Sequence, residues 1–305
     1  MVNQSKSQYL NTKWFKKFFT WPLEGAVAWV VVNTLKLLPI DIASGLMGFI
    51  ARNLGPHLSV SNRARINIRN CFPEWTESRI KNVLRDMWEN CGRIIGEYPH
   101  IQNLDVSGND KRVEVIGVEH IESMRDDELP GIVFSAHIGN WELLPMLAEP
   151  NELSMNFVYR ALNSPLAEKV LRKAHGRLSP YLIPKSREGA IKMARVLKDG
   201  GHLAIMIDQK LNEGITIPFF GRPAKTTTAL AAFALRHRCP IIPARVERIA
   251  GATFRVIFYP PIQLPNSGDT VRDTELIMRN ANQIIENWIR DTPSQWLWLH
   301  RRWGK

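Results

Sequence analysis

A histidine set directly behind a buried-looking strand, with a carboxylate five residues further on, is the arrangement in this chain best suited to moving a proton. The segment is Gly131-Ile-Val-Phe-Ser-Ala-His137-Ile-Gly-Asn-Trp-Glu142. Gly139 and Asn140 provide a turn, and Trp141–Leu147 reads as the start of a helix, so Glu142 falls in its first turn and can fold back toward the imidazole. A carboxylate there fixes the tautomer and stabilises imidazolium, leaving the other ring nitrogen of His137 as a general base. Such a base can take the proton of an alcohol as the alcohol attacks a thioester. The spacing alone is common, because a helix-capping His with a solvated Glu gives the same letters.

Other residues have the chemistry to assist. Arg160 follows an apolar run and is flanked by Asn163; its planar fork suits a phosphate or glycolipid oxygen, and a surface arginine closing a strand is the plainer alternative. Lys169, Arg172 and Lys173 share the next helical segment, either as contacts for lipid phosphates or an acidic protein, or as a solvated face. Asp208 ends a very apolar strand, where an ionised carboxylate needs a partner. A site arginine would serve, and a turn-capping role is the plainer alternative. Phe219 and Phe220, before Gly221, can wall an acyl channel or simply be two core aromatics in a turn. The last residues interleave Trp296, Trp298 and Trp303 with His300, Arg301, Arg302 and Lys305. That composition fits single-stranded nucleic acid, a membrane interface, or packing across a site mouth.

The elements that must hold these residues alternate. Apolar β-type runs occur at Val113–Val118, Gly131–Ala136, Met155–Tyr159, Tyr181–Ile183, His202–Ile207, Ile241–Val246 and Phe254–Tyr259. Helical patterns lie at Pro165–Leu178, Glu188–Leu197, Thr227–Arg236 and Thr270–Arg290. Alternation of this kind predicts an α/β fold with a mixed, largely parallel sheet flanked by helices. Residues 61–110 read as a helical lead-in, its main helix opened by Thr76-Glu-Ser-Arg and running toward Gly96 with apolar residues at three- and four-residue spacing. Residues 1–60 read as an N-terminal helical membrane anchor, embedded or interfacial, with a pair of buried core helices as the plainer alternative. There Lys6, Lys13, Lys16 and Lys17 precede the run Trp21–Ile40, and Ile42–Leu54 follows. Glu24, Asn33 and Lys36 interrupt the roughly 20 apolar residues that a clean span requires. The body, residues 61–305, is then the α/β domain, on the cytoplasmic side by the positive-inside rule.

Composition narrows the partners. The 305 residues are 45% hydrophobic and 23% charged, as for a globular chain, and the net charge of +11 favours an acidic partner. Cys71, Cys91 and Cys239 form no CxxC pair and are odd in number, which argues against a disulfide framework or a zinc site and fits a reducing compartment. No nucleic-acid module signature accompanies the basic residues. A basic nucleic-acid or membrane-binding protein is the non-enzyme alternative, testable by tight, salt-sensitive polynucleotide binding without acyl transfer.

Five blocks in order resemble the bacterial lipid A late acyltransferases, the Kdo-lipid A lauroyl/myristoyl transferases of the wider lysophospholipid acyltransferase superfamily. They are His137-Ile-Gly-Asn-Trp-Glu142, Val158-Tyr-Arg160-Ala-Leu-Asn163-Ser-Pro165, Ile207-Asp208-Gln209, Pro218-Phe-Phe-Gly221-Arg-Pro-Ala224 and Pro293-Ser-Gln295-Trp-Leu-Trp298-Leu-His300-Arg301-Arg302. The resemblance implies a glycerol-phosphate-acyltransferase-like fold. It implies transfer of an acyl chain from acyl-acyl carrier protein to a hydroxyl of a lipid A precursor, at the cytoplasmic face of the inner membrane, with no cofactor and no metal. It maps the catalytic pair onto His137 and Glu142. Asn140, Arg160, Asn163, Arg172, Asp208, Gln209, Phe219 and Phe220 become candidate substrate contacts. Inner-membrane lipids are the expected surroundings, and nucleic acid is not an expected partner. Acylation of a lysophospholipid, ornithine lipid or glycolipid, including from acyl-CoA, is the alternative within the same chemistry.

Overall fold

The computed structural model describes residues 16–106, 112–148, 151–174, 176 and 181–304. Its sheet is built from β1 (Val113–Ile116), β2 (Gly131–Ser135), β3 (Met155–Tyr159), β4 (Leu182–Pro184), β5 (His202–Met206), β8 (Ile241–Ala250) and β9 (Thr253–Phe258). The strand order is β1-β9-β8-β2-β5-β3-β4. Every neighbouring pair is parallel except β8 and β9, which form an antiparallel hairpin. The expected mixed, largely parallel sheet is therefore what the chain forms. β6 (Ile215–Phe219) and β7 (Arg222–Thr226) make a separate hairpin that the sequence reading did not include.

Both faces of the sheet are covered, which is why β2 reads as an unbroken apolar run. Ile132 and Phe134 point into one core, with Leu84 and Met87 of α4 (Glu77–Glu97) and Ile285 of α9 (Thr270–Asp291). Val133 points the other way, into a core with Leu143, Leu147 and Phe254. Helices α6 (Pro165–Ala174), α7 (Arg187–Lys198) and α8 (Ala229–His237) sit close to their expected places, and of the residues expected to carry α6 on to Leu178 all but Gly176 lie outside the described part. The segment Trp141–Leu147 is a 3₁₀ turn rather than an α-helix. Pro145 has no N–H to donate and resists a longer helical ladder.

At the N-terminus, α1 (Trp21–Lys36) and α2 (Ile40–Leu54) match the two expected apolar stretches. Lys6 and Lys13 lie outside the described residues. Among the described residues no helix is long and apolar enough to cross a membrane, so a spanning anchor has no support in the structure. Instead α1 packs on α6 and α2 packs along α4. The second contact is a close one. A Cβ at Gly92 would stand 2.2 Å from the Met47 carbonyl oxygen, and one at Gly96 2.3 Å from that of Ala43. On the outer faces, Leu23, Val27 and Val30 of α1 and Ile42, Leu46 and Phe49 of α2 are exposed at i, i+4, i+7 spacing.

Candidate active site

Four adjacent parallel strands, β2, β5, β3 and β4, end on the same edge of the sheet, and each places a chemically capable residue just beyond its end. These are His137, Asp208, Arg160 and Lys185 in spatial order. Ligand sites in α/β sheets form at this edge. Here a cavity of about 360 Å³ opens beside His137, Glu142, Arg160, Lys185 and Gln209, and is walled by Val133, Leu144, Phe157, Leu182 and Met193. Hydrocarbon walls with a few polar groups at one end suit a ligand that has an apolar tail and a reactive head.

Register explains the central contact. Ser135 of β2 pairs with Met206 of β5, so two residues further along the two chains His137 and Asp208 come side by side. His137 Nδ1 lies 2.8 Å from Asp208 Oδ1, and the His137 backbone N–H donates to Asp208 Oδ2 at 2.9 Å. Trp296 Nε1–H donates to the same oxygen at 2.8 Å. Asp208 is fully buried, whereas the His137 side chain is 18% exposed. Burial by itself would depress the His137 pKa, but the adjacent Asp208 carboxylate outweighs it and holds the imidazole above its ordinary value. Burial also opposes the charge on Asp208, yet His137 and His300 keep its carboxyl well below the usual carboxylate range.

The Nδ1–H donated to Asp208 leaves Nε2 as the open lone pair, directed toward Gln209, whose amide nitrogen is 3.1 Å away. The same amide nitrogen is 3.2 Å from His300 Nε2. Burial pushes His300 down to about 4, so its ring is neutral near pH 7 and accepts that bond. Trp141 and His300 each set a ring edgewise to His137, at centroid distances of 5.1 and 5.3 Å.

The carboxylate on Nδ1 is thus Asp208, not Glu142 as the sequence suggested. Glu142 Oε1 accepts from Trp141 Nε1 at 3.1 Å, and its charge adds to the field that raises His137. Its backbone N–H is capped by Asn140 Oδ1 at 3.2 Å, which fixes the start of the 3₁₀ turn. The partner expected for Asp208, an arginine, is replaced by His137 and Trp296.

The Asn140 side chain is turned into the protein and is not part of the cavity lining. It is fully buried, and its Nδ2 donates to Glu97 Oε2 at 2.8 Å. Glu97, also fully buried, accepts from Ser44 Oγ at 2.6 Å and from the Arg248 guanidinium, whose Nη2 is 2.9 Å away. Arg248 Nε donates to Asn90 Oδ1 at 2.8 Å, and Asn90 Nδ2 donates to the Gly139 carbonyl at 3.0 Å. Gly139 has φ +60°, and a Cβ there would meet the Val246 carbonyl oxygen at 2.2 Å, so only glycine fits the turn. Sequence reading missed Glu97, Asn90 and Arg248, which lie far from any of the matched blocks.

The remaining candidates divide. Arg160 is exposed at the cavity rim, and Arg172 lines the wall near Tyr159 and Glu168. Tyr159 donates to Glu168 at 2.7 Å, and burial together with that carboxylate pushes its hydroxyl up to about 12. Asn163 is exposed and is not part of the lining. Phe219 and Phe220 are buried outside the cavity, in an aromatic cluster with Trp296, Trp298 and Trp303. The core-aromatic alternative describes them better than an acyl channel does. Trp296, Trp298 and Arg302 are fully buried, so these three pack inside the domain rather than forming an outer nucleic-acid surface. Lys185, absent from the candidate set, lines the cavity.

Residues 13–305 match the bacterial lipid A biosynthesis acyltransferase family. The chain belongs to that family. Among its relatives, the lipid A biosynthesis lauroyltransferase of Escherichia coli K12 is 25% identical over 295 residues, covering 93% of this chain and 91% of that protein. A lipid A biosynthesis acyltransferase of Haemophilus influenzae is 23% identical over 242 residues, covering 78% and 73%. A phosphatidylinositol mannoside acyltransferase of Mycolicibacterium smegmatis is 21% identical over 295 residues, covering 91% and 90%. The solved 1-acyl-sn-glycerophosphate acyltransferase of Thermotoga maritima superposes with a TM-score of 0.35 at 12% identity, over 87% of this chain and 98% of that one, too slight a likeness to bear on the fold. Family membership makes this chain an acyltransferase of lipid A biosynthesis, with a lipid A precursor as the implied acceptor.

Proposed function

We propose that the chain transfers a fatty acyl group from acyl-acyl carrier protein to a hydroxyl of a lipid A precursor, with His137 as general base and Asp208 as its orienting carboxylate. The observation that carries this reading is the His137–Asp208 pair at the mouth of an apolar cavity. The acyl chain lies along the hydrocarbon wall with its thioester carbonyl near Nε2. The acceptor hydroxyl takes the place at Nε2 that the Gln209 carboxamide occupies. Nε2 accepts the hydroxyl proton as the oxygen attacks the carbonyl carbon. Asp208 stabilises the imidazolium, and collapse of the tetrahedral intermediate breaks the C–S bond while the imidazolium returns the proton to the departing thiolate. Arg160 and Lys185, at the rim, hold acceptor phosphate. The exposed apolar faces of α1 and α2 seat the domain on the cytoplasmic face of the inner membrane as an interfacial element, so that lipid chains reach the cavity without crossing water. The net charge of +11 steers the acidic carrier protein.

The test is transfer by purified protein from a panel of acyl-carrier-protein and acyl-CoA donors to lipid A precursors and other lipid acceptors embedded in vesicles. His137→Ala is the control variant, expected to lose about 10²–10⁴-fold in rate while staying folded. A folded His137→Ala protein with wild-type turnover rules out the base. Preference for acyl-CoA, or for a mannosylated glycolipid over the lipid A precursor, replaces the donor or the acceptor. Failure of the protein to float with the vesicles removes the interfacial role of α1 and α2.

A further inference from the structure

A fully buried carboxylate that meets a buried guanidinium has a desolvation cost that its own ion pairing does not reliably recover, so such a pair is weak evidence for stability. The Glu97–Arg248 pair joins four parts of the molecule. Glu97 ends α4, Arg248 sits in β8, Ser44 in α2 donates to the carboxylate, and Asn140 belongs to the turn behind His137. Its two branches both finish on that turn. Glu97 accepts from Asn140, and Arg248 acts through Asn90 on the carbonyl of Gly139. Gln295 closes the arrangement. Its Oε1 accepts from the Arg248 N–H at 2.8 Å, its Nε2 donates to the Arg248 carbonyl at 2.8 Å, and its own carbonyl accepts from the Gly139 N–H at 3.1 Å.

The turn needs these supports. β2 ends at Ser135, so residues 137–140 have left the regular strand ladder, and Gly139 is held at positive φ against β8. Nothing in the local chain dictates where such a turn points the imidazole. The direction comes from its partners: Asp208, the Leu297 N–H that donates to the His137 carbonyl at 3.1 Å, and the buried network that ends on Gly139 and Asn140.

We propose that Glu97 and Arg248, acting through Asn90 and Asn140, are positioning residues that set the angle of His137 against Asp208 and the cavity. This rests on His137 being the base, and the experiment separates the two ideas. A misplacement of about 1 Å costs about 10²-fold in rate, and a positioning fault lowers kcat while leaving KM for donor and acceptor near the wild-type value.

Three variants grade the effect. Asn140→Ala cuts the link to the turn but leaves the Glu97–Arg248 pair whole, and so keeps the fold. Arg248→Lys keeps a cation beside Glu97 but loses the fork that reaches Asn90. Glu97→Gln keeps the shape and removes the charge. Each is assayed with thermal melting, kcat, KM and the pH dependence of kcat. Asn140→Ala is expected to lower kcat by about 10²-fold with unchanged KM, Arg248→Lys by less, and Glu97→Gln by at least as much. In all three the acid limb of the profile moves to lower pH, because a displaced imidazole loses the support of Asp208. The other charged or titratable groups around His137 are Glu142, Lys185 and His300. Arg248→Lys and Glu97→Gln touch none of them, whereas Asn140→Ala also removes the cap on the Glu142 N–H, so a shared kcat loss in Arg248→Lys is what assigns the effect to positioning.

Wild-type kcat in Asn140→Ala and Arg248→Lys overturns the proposal. So does a rise in KM with kcat intact, which makes Asn140 a substrate contact. A kcat loss that follows the melting temperature, with an unmoved acid limb, also overturns it, because that is a purely structural effect. Activity in folded His137→Ala defeats the base assignment itself, whereas an inactive His137→Ala beside fully active Asn140→Ala and Arg248→Lys defeats positioning alone.

Discussion

Two sides of one imidazole are built on opposite terms. Behind His137, on the Nδ1 side, every group is buried and committed: Asp208 accepts from the His137 ring, the His137 backbone and Trp296, and the turn hangs from Glu97, Arg248 and Asn90. In front, on the Nε2 side, stand a single carboxamide, an apolar cavity and cations that reach toward solvent from the ends of neighbouring strands. A base is useful only if its direction is fixed before substrate arrives, since reorganisation during reaction adds to the barrier. A surface that must admit a lipid acceptor and release a product has the opposite requirement. The rear is therefore preorganised and the front adaptable, and the same substitution strategy applied to each should give effects of different size and kind.

The largest effect is expected at the rear. Asp208→Asn retains one carbonyl oxygen where the carboxylate offered two, so the His137 ring, the His137 N–H and the Trp296 N–H no longer all find acceptors. Turnover should fall by about 10²–10⁴-fold. The sign of the pH effect follows from the field. Asp208 raises the pKa of His137, and a base works only when unprotonated, so wild-type activity is lost as pH falls through that raised value. Removing the carboxylate lowers the pKa and shifts the acid limb of the surviving activity to lower pH. An acid limb that stays in place in Asp208→Asn would mean that another group controls it, and the comparison would lose its anchor.

Glu142 tests where the rear stops. Local spacing suggested the orienting role for it, whereas in the structure its Oε1 accepts from Trp141 and its charge adds to the field that raises His137. Glu142→Gln should then cost no more than about tenfold, the equivalent of a one-unit change in the pKa of the base, with the acid limb moving slightly downward. If Glu142→Gln proves as damaging as Asp208→Asn, Glu142 swings onto the imidazole during turnover and the division between the two sides has to be redrawn.

Why Glu142 was legible and Asp208 was not is a matter of range. His137 and Glu142 share a local segment, and a strand followed by a glycine turn is visible in the letters. Pairing His137 with Asp208, 71 residues away, requires knowing that β5 lies beside β2 in the register that sets Ser135 against Met206. Parallel strands are joined by long crossovers, and nothing in either segment names its neighbour. The alternating elements and most strand limits were readable because apolar runs keep their period whatever they pack on. The β6–β7 hairpin escaped because Pro218, Gly221 and Pro223 interrupt the alternation of Ile215, Ile217 and Phe219. For Phe219 and Phe220, composition called for an apolar environment but could not tell a cavity wall from a core. Glu97 and Arg248 fall just past the expected limits of a helix near Gly96 and a strand at Val246, so nothing in the letters singles them out, and only the fold shows them buried against one another.

The smallest effect is expected in front. Arg160 and Lys185 are exposed, and a contact between an exposed cation and a phosphate in water is worth about 0.2–1 kcal/mol. Arg160→Ala and Lys185→Ala should therefore each raise KM for a phosphorylated acceptor by no more than about fivefold, with little change in kcat. Screening gives an independent check, because the Debye length falls from about 10 Å at 0.1 M salt to about 3 Å at 1 M. Wild-type KM should rise with salt toward the value of the variants, and the variants should respond less, since the interaction that salt weakens is already gone. A donor that carries no phosphate near the rim should be indifferent to both changes. If either variant instead lost kcat by the hundredfold typical of the rear, that cation would belong with the reacting atoms, stabilising charge as it develops on the thioester oxygen. The front would then be preorganised as well, at that one residue, and the exposed side chain would have to be covered on binding.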